Sequence, residues 1–466
     1  MANFGIYGRS RQLLLAIGQQ LAGTSDTTVK IQALHSYGNA LRASGDLVGS
    51  QDILRQGLEL AEALNAVNQL SPLLLSLGNT AADRQNTIDA RYYFEQAERT
   101  ATNTEARLDA QLNRLRLAAE RGDRAALTQL APQIQQQLAQ LPPSRPTVYA
   151  AVNLASTLDA SPSVLPPQTL AQTLARAVQA ARELGDATAE AYALEQLGQL
   201  YVDQGQTGEG IELLQQSLTL GRTLQAEPIV SQSAWSLGRS LKQAGRNQAA
   251  IAAYREAINA LQALRSDLVG INQEVQLSFR ESVEPVYRQL VGLLLDSDPD
   301  QAALAEVREL IEALQLAELD DFFRDACLDA QPRQIDEIDT RAAVLYSILL
   351  SDRLAVIVSA AGQPLSYYAV SVPQIQAEQT FRSFLAAIHP ASDNTEQLRL
   401  AQQVYDWLIR PAATAGALQG RETLVFVLDG ILQRLPVAAL HDGQQYLIEN
   451  MPSPSHPDCA SCRRRR

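Results

Sequence analysis

Residues 194–217 read LEQLGQLYVDQGQTGEGIELLQQS, and residues 234–257 read AWSLGRSLKQAGRNQAAIAAYREA. The two stretches align with a shift of 40 residues, so that Gly198 falls on Gly238 and Gly205 falls on Gly245. Self-similarity at a fixed period of this length is typical of proteins built from repeated helix pairs. One pair cannot bury its apolar face alone, so the pattern predicts a superhelical solenoid of stacked pairs.

The same frame recurs through residues 1–260 and predicts about six helix pairs. A glycine in the first helix lets the second helix approach closely, and a second glycine seven residues later suits the left-handed conformation that ends a helix. Large apolar residues of the second helix, Leu54, Phe94, Leu214 and Tyr254, are expected to fill the gap to the next pair. The first-helix positions of the frame are Gly38, Gly78, Leu115, Ala155, Gly198 and Gly238.

This pattern resembles the tetratricopeptide repeat, with a period somewhat longer than the usual ~34 residues. The resemblance is loosest in the middle of the array, where Gln111 and Arg114 occupy positions that are normally apolar. Pro162, Pro166 and Pro167 replace the expected turn there, and we expect them to delay the second helix of that pair.

A solenoid of this kind presents an inner, concave face made by its first helices, and we expect a protein or peptide partner to bind there. Trp235, Arg239 and Lys242 lie one turn apart on one helix and could hold an acidic or carboxylate-bearing peptide. The alternative is a solvated helix face with one partly packed tryptophan. From the repeat frame, the inner face should carry His35, Asn39, Arg42, Asn79, Arg116, Tyr192, Gln199, Trp235, Arg239 and Lys242.

The chain leaves the repeat frame after residue 260, and we assign residues 261–335 to a helical connector. Three short strands rich in β-branched or aromatic residues follow, at 342–350, 354–360 and 364–372, and predict an antiparallel meander. Two amphipathic helices are expected near 374–388 and 395–409. The run TLVFVLDG (423–430) has the composition of a buried parallel strand, so residues 336–449 predict an α/β domain.

Three segments of this region, FRESVEPVYRQLV (279–291), LQLAELDDFFRDACLD (314–329) and TLVFVLDGILQRLPVAALHDGQQYLIE (423–449), resemble the CHAT family. These are caspase-like domains carried on tetratricopeptide repeats, common in cyanobacteria. The resemblance implies a cysteine-peptidase fold whose catalytic His and Cys lie beyond the YLIE segment. We carry no catalytic role onto His441, and we expect the catalytic dyad to be absent from this chain.

The segment 450–466, MPSPSHPDCASCRRRR after Asn450, has no helical or strand periodicity, and we expect it to be an aberrant, disordered tail. A one-base shift within the Asn450 codon allows a continuation that looks like the family's own. We therefore expect the CHAT domain to be truncated by a frameshift near Asn450, the alternative being a natural divergent terminus. Cys459 and Cys462, with His456 nearby, offer too few ligands for zinc, and Cys327 is expected to be an inert packed thiol.

The composition excludes several classes of function. The net charge of −13 argues against nucleic acid as the main partner. No Gly-rich phosphate loop is present, Asp429 and Gly430 form only a turn signal, and we expect no cofactor and no metal. No signal peptide or membrane span is seen, so a cytoplasmic protein is expected.

Two functions compete at this point. The residues present favour a protein–protein interaction scaffold with a truncated CHAT domain. The resemblance favours, as the alternative, a caspase-like cysteine peptidase in its full-length form, with repeats that recruit substrate or a regulator. A product without any role is a third possibility.

Overall fold

The computed structural model describes residues 16, 20, 21, 23–159, 161, 163–267, 283–296, 298–323, 339–388 and 394–450. The chain divides into two compact units, Met1–Leu277 and Ser278–Arg466. The tail after Asn450, all three cysteines and His456 lie outside the described residues, so the expectations for them stay predictions.

The first unit is a series of antiparallel helix pairs, which confirms the predicted all-helical solenoid of tetratricopeptide type. Most helices pack most closely on their immediate neighbours in the chain, as expected for a quasi-one-dimensional array. The described part of the unit holds six pairs. They are α1 (Thr28–Ala43) with α2 (Leu47–Ala63), α3 (Val67–Asp83) with α4 (Thr87–Thr100), α5 (Thr104–Glu120) with α6 (Arg124–Gln140), α7 (Arg145–Leu158) with α8 (Pro167–Leu184), α9 (Ala187–Asp203) with α10 (Thr207–Leu224), and α11 (Glu227–Gln243) with α12 (Asn247–Asp267).

The turn within a pair follows from two local signals. The first helix ends at a residue with positive φ, as at Gly205 (φ 80°) and Gly245 (φ 71°), a conformation that glycine adopts without steric cost. The next helix then often begins directly after an Asp or Asn whose side chain accepts a hydrogen bond from the backbone amide three residues further on. Asp46 does so from Gly49 at 2.9 Å. Both signals occur together in the turns of the first three pairs and mark where those pairs fold back.

The frame glycines bring the two helices of a pair into close contact. A Cβ atom added to Gly78 would lie 2.4 Å from Cε1 of Phe94, and one added to Gly38 would lie 2.5 Å from Cγ of Leu54. The large residue of the second helix thus packs directly on the glycine of its own pair. It is fully buried in both cases. The sequence assigned these residues to the gap between pairs, and the structure adds this contact within the pair.

We expect Gly78→Ala to destabilise the repeat unit by about 1–3 kcal/mol, because the new methyl overlaps the Phe94 ring. Gly208→Ala is the matched control. Gly208 lies in the first turn of α10 with no atom near its would-be Cβ, so alanine there should be neutral or stabilise by up to about 1 kcal/mol. Thermal unfolding followed by helical circular dichroism measures both. Equal stabilities for the two variants would contradict the packing assigned to Gly78.

The middle pairs deviate from the repeat as the sequence indicates. Helix α8 begins only at Pro167, with eight residues between it and the end of α7 at Leu158, so the prolines do delay it; Pro162 is not described. At the other irregular positions, Gln111 donates to Glu98 Oε1 at 2.8 Å, and Arg114 pairs with Glu98 Oε2. A polar network therefore replaces the usual apolar contact between α4 and α5.

The second unit contains a four-stranded sheet of order β3-β2-β1-β4. The strands are β1 (Ala342–Leu349), β2 (Leu354–Ala360), β3 (Ser366–Val370) and β4 (Thr423–Leu428). The first three form the predicted antiparallel meander, and β4 pairs with β1 in parallel, with Leu345 opposite Phe426. These pairings confirm the α/β class predicted for the domain.

Every residue of β1 and β2 is buried, because helices cover both faces of the sheet. On one face, Leu345 and Val356 pack in a core with Phe381 of α15 (Gln374–Ala387) and Val404 of α16 (Asn394–Leu408). The unit also contains two short α-helices, α17 (Arg410–Thr414) and α18 (Leu447–Asn450), and two 3-10 helices, Gly430–Arg434 and Val437–Ala439.

The other face is covered by α13 (Glu284–Leu294) and α14 (Gln301–Phe323), which the sequence assigned to a connector. Tyr346 Oη donates to Glu312 Oε1 at 2.7 Å, and Arg308 Nη1 donates to Ser359 Oγ at 3.1 Å. Both helices carry buried apolar faces, so they are integral parts of the second unit rather than spacers.

Strand β4 is the edge of the sheet within the described residues. Its side chains are exposed or half-buried, whereas those of β1 are all buried. The composition of TLVFVLDG indicates a strand buried on both faces, and the structure shows it with β1 as its one partner in the described part of the chain.

Among the described helices, none combines the length and the apolar character needed to cross a membrane.

Candidate functional site

The residues predicted for the inner face lie on the first helices of five of the six pairs. They are half-buried, apart from Lys242, whose side chain is exposed. The placement is His35, Asn39 and Arg42 on α1, Asn79 on α3, Arg116 on α5, Tyr192 and Gln199 on α9, and Trp235, Arg239 and Lys242 on α11.

Several of these side chains join neighbouring pairs by hydrogen bonds. Arg116 Nη2 donates to Asn79 Oδ1 at 3.4 Å, and Arg239 Nη2 donates to Gln199 Oε1 at 2.8 Å. Arg42 Nη1 forms an ion pair with Asp83 Oδ2 at 3.0 Å. These contacts span one repeat each, so they form a discontinuous polar ladder along the first helices. Asn39 makes no hydrogen bond to the other predicted residues in the described part of the chain.

Trp235 and Arg239 form the most developed part of this surface. The guanidinium of Arg239 lies 4.8 Å from the centre of the Trp235 ring, within cation–π range. The bond to Gln199 holds the same guanidinium, and its Nη2 also lies 3.4 Å from Ser236 Oγ. A half-exposed aromatic ring with a fixed arginine presents apolar and hydrogen-bonding surface together, as protein-binding hot spots do.

Glu195 is a buried acid beneath this surface that the sequence analysis missed. It is 3% exposed. Its Oε1 accepts a hydrogen bond from Ser236 Oγ at 2.6 Å, and its Oε2 accepts one from Gln196 Nε2 at 2.8 Å. Burial raises the pKa of Glu195, and the bond from Ser236 opposes that shift only in part. The sequence signal that could have identified Glu195 was its position in the repeat frame. It lies three residues before Gly198, at the position equivalent to Trp235.

This raised pKa makes the stability of the repeat unit depend on pH. A carboxyl group with a higher pKa when folded stabilises most when protonated, and that contribution is lost as pH rises through the folded pKa. We therefore expect Glu195→Gln, once the Gln196 amide turns to present its oxygen, to be more stable than wild type at pH 8. The difference should shrink toward pH 4. Melting temperatures across this range test it, and a difference that does not change with pH would contradict it.

The surface beside Arg239 is not simply cationic. Burial raises the pKa of Asp159, repulsion from Asp203 adds to the rise, and Arg239 opposes it. Asp159 therefore lies within electrostatic reach of the arginine, and Asp203 lies within reach of Asp159. Nearby, the rings of Tyr149 and Tyr192 lie 6.1 Å apart. An anionic group placed beside Arg239 would therefore also meet the carboxylate of Asp159.

In the second unit, Arg288 and Asp429 join two of the segments that carried the family resemblance. Arg288 of α13 contacts both oxygens of Asp429, at 2.5 and 2.7 Å, and its Nη1 donates to the carbonyl of Leu349 at 3.1 Å. Asp429 is 7% exposed and directly follows β4. Burial alone would lower the pKa of Arg288, but Asp429 and Glu284 outweigh it and raise that pKa.

The Arg288–Asp429 pair ties the carboxyl ends of the parallel strands β1 and β4 to α13. In open α/β sheets this edge is where ligand and catalytic sites form. From the sequence alone, Asp429 is predicted only as part of a turn, because its partner lies 141 positions away and no local pattern links the two.

His441 is packed into its own loop. Its Nδ1 accepts a hydrogen bond from the Gly443 amide at 3.0 Å. Its ring stands nearly perpendicular to that of Tyr446, with 4.9 Å between the ring centres. No described cysteine lies beside it, since Cys327, Cys459 and Cys462 are outside the described residues. Over those residues, no group of His, Cys, Asp and Glu is arranged to hold a metal ion.

Comparison with protein families finds both parts of the chain. A tetratricopeptide repeat family matches residues 188–263, and the CHAT domain family matches residues 398–466. The chain therefore carries tetratricopeptide repeats and a CHAT domain, as the sequence resemblance predicted. No curated protein matches it.

Solved structures are similar at low sequence identity. A signal transduction ATPase (STAND) with a tetratricopeptide repeat sensor from Pyrococcus horikoshii has 11% identity, TM-score 0.42, and covers 67% of this chain and 46% of its own. A Rap protein complexed with Competence and Sporulation Factor has 15% identity and a TM-score of 0.40. That match covers 68% of this chain and 88% of the Rap protein. YrrB, a tetratricopeptide repeat protein with an unusual peptide-binding site, has 13% identity and a TM-score of 0.27. That match covers 54% of this chain and 98% of YrrB.

Proposed function

We propose that this chain is a protein–protein interaction scaffold whose repeats bind a peptide segment of a partner on their inner face. The observation that carries the proposal is the Trp235–Arg239 stack, held by Gln199 from the neighbouring pair. A ring and a guanidinium fixed in this way lose little side-chain freedom on binding, which favours affinity. Asn39, Arg42, Asn79, Arg116, Tyr192 and Lys242 would extend the contact along the same face.

The partner is a peptide rather than a nucleic acid, because the chain carries a net charge of −13 and the inner face mixes acids with arginines. Half-exposed tyrosine and tryptophan rings suit apolar side chains of an extended or helical segment. The polar ladder would hydrogen-bond its backbone.

Photo-crosslinking in the native host tests the proposal. Lys242 is replaced by a photo-reactive amino acid, and the matched control carries the same residue at Glu209, an exposed site on the second helix α10. We expect a discrete crosslinked protein at position 242 that is lost when Trp235 and Arg239 are both changed to Ala. Adducts that are identical at the two positions, or that survive the double substitution, would overturn it.

The CHAT match favours a second candidate, a caspase-like cysteine peptidase in a longer form of this protein. In that form the repeats would recruit substrate or a regulator, and the catalytic His and Cys would follow the segment that ends at Glu449. The proposal includes a frameshift near Asn450. Sequencing the gene from the codons for residues 423–430 onward tests it. A one-base correction that opens a frame with further His and Cys codons supports the peptidase, and an unbroken frame as written contradicts it.

A further inference from the structure

A cleft between α4 and α5 is lined by charged side chains alone. Its volume is about 530 Å³, and its lining residues are Glu95, Glu98, Arg99, Arg107 and Arg114. Glu95, Glu98 and Arg99 come from the last two turns of α4. Arg107 and Arg114 lie two turns apart on α5, which places them on one face of that helix. The cleft is independent of the inner-face residues.

The carboxylates of this cleft are already paired. Glu98 accepts from Gln111 at 2.8 Å and pairs with Arg114, and Glu95 Oε1 lies 3.3 Å from Arg91 Nε. Over the described part of the chain, the guanidinium groups of Arg99 and Arg107 have no carboxylate partner. Two guanidinium forks without a carboxylate partner, and the remaining N–H groups of Arg114, thus line the same cavity.

We propose that this cleft binds a compact anion that carries phosphate groups. Guanidinium forks match the oxygens of phosphate bidentately, and the three arginines of the lining outnumber its two carboxylates. The lining offers no apolar side chain, so the ligand is selected for charge rather than for an apolar body. The local excess of arginine contrasts with the net charge of −13 for the whole chain.

Isothermal titration calorimetry on the full chain, with inorganic pyrophosphate as the probe, tests the proposal. The test variant is Arg99→Gln with Arg107→Gln, and the control is Arg246→Gln, another exposed arginine outside the cleft. We expect saturable binding to wild type and to the control, and a dissociation constant at least about tenfold weaker for the test variant. Citrate at equal ionic strength should bind more weakly than pyrophosphate.

Either of two results would overturn the site. One is the absence of saturable pyrophosphate binding to wild type, and the other is equal affinity for wild type and the double variant. Both substituted residues are exposed, so the variants should keep the wild-type melting temperature. Citrate binding as tight as pyrophosphate would reject phosphate as the selected chemistry.

Discussion

Replacing Arg288 with Ala should destabilise the second unit by about 3–5 kcal/mol, because it leaves the buried Asp429 carboxylate without its counter-charge. The same change removes the bond to the Leu349 carbonyl, so the carboxyl ends of β1 and β4 lose a common anchor. Urea unfolding in a Trp235→Phe background measures the effect. Trp407, whose ring centre lies 5.9 Å from that of Phe381, is then the one tryptophan of the chain. Its fluorescence therefore reports on the second unit alone.

Arg341→Ala is the matched control for this prediction. Arg341 pairs with Glu422 at 2.6 Å next to the opposite ends of the same two strands, but the side chains are 67% and 55% exposed. An exposed pair of this kind contributes about 0–1 kcal/mol. If Arg288→Ala and Arg341→Ala shift the urea midpoint equally, the Arg288–Asp429 pair does not have the role assigned to it.

Removing α13 and α14 should abolish the cooperative folding of the CHAT-containing unit. A fragment of residues 336–466 retains the sheet with α15 and α16 but exposes the opposite face, where Val344, Tyr346 and Ile357 are now buried. Large exposed apolar faces promote aggregation and dye binding rather than a native state. We expect this fragment to show no sharp thermal transition and to bind a hydrophobic dye.

The fragment 278–466 is the control, because it restores both helices and Arg288. It should melt cooperatively, by near-ultraviolet circular dichroism, and bind little dye. A sharp transition for residues 336–466, at the temperature found for 278–466, would show that α13 and α14 are dispensable. They would then be the connector that the sequence alone suggested.

The repeats were predictable because their determinants are local. Period, small residues and turn glycines recur in the sequence, and the structure uses Gly38 and Gly78 for the close approach that the pattern indicated. The strands of the second domain were likewise readable from short β-branched runs. The role of α13 and α14 was not, because an amphipathic helix does not reveal which surface its apolar face covers.

The site was predictable only in outline. The frame placed Trp235 and Arg239 on one helix, but their bonds to Gln199 and Ser236 depend on how neighbouring pairs stack. Glu195 was missed because a lone acid in a helical pattern is usually solvated, and its burial arises from the adjoining pair.

The most direct test of the scaffold is the affinity of the partner captured at position 242 for two matched aromatic variants of the full chain. Trp235→Ala should weaken binding by about 2 kcal/mol or more, roughly 30-fold, because it removes the ring under Arg239. Tyr92→Ala, on the second helix α4 with a 56% exposed ring, should leave the affinity unchanged. Equal affinities for the two variants, with melting temperatures matched, would contradict binding on the inner face.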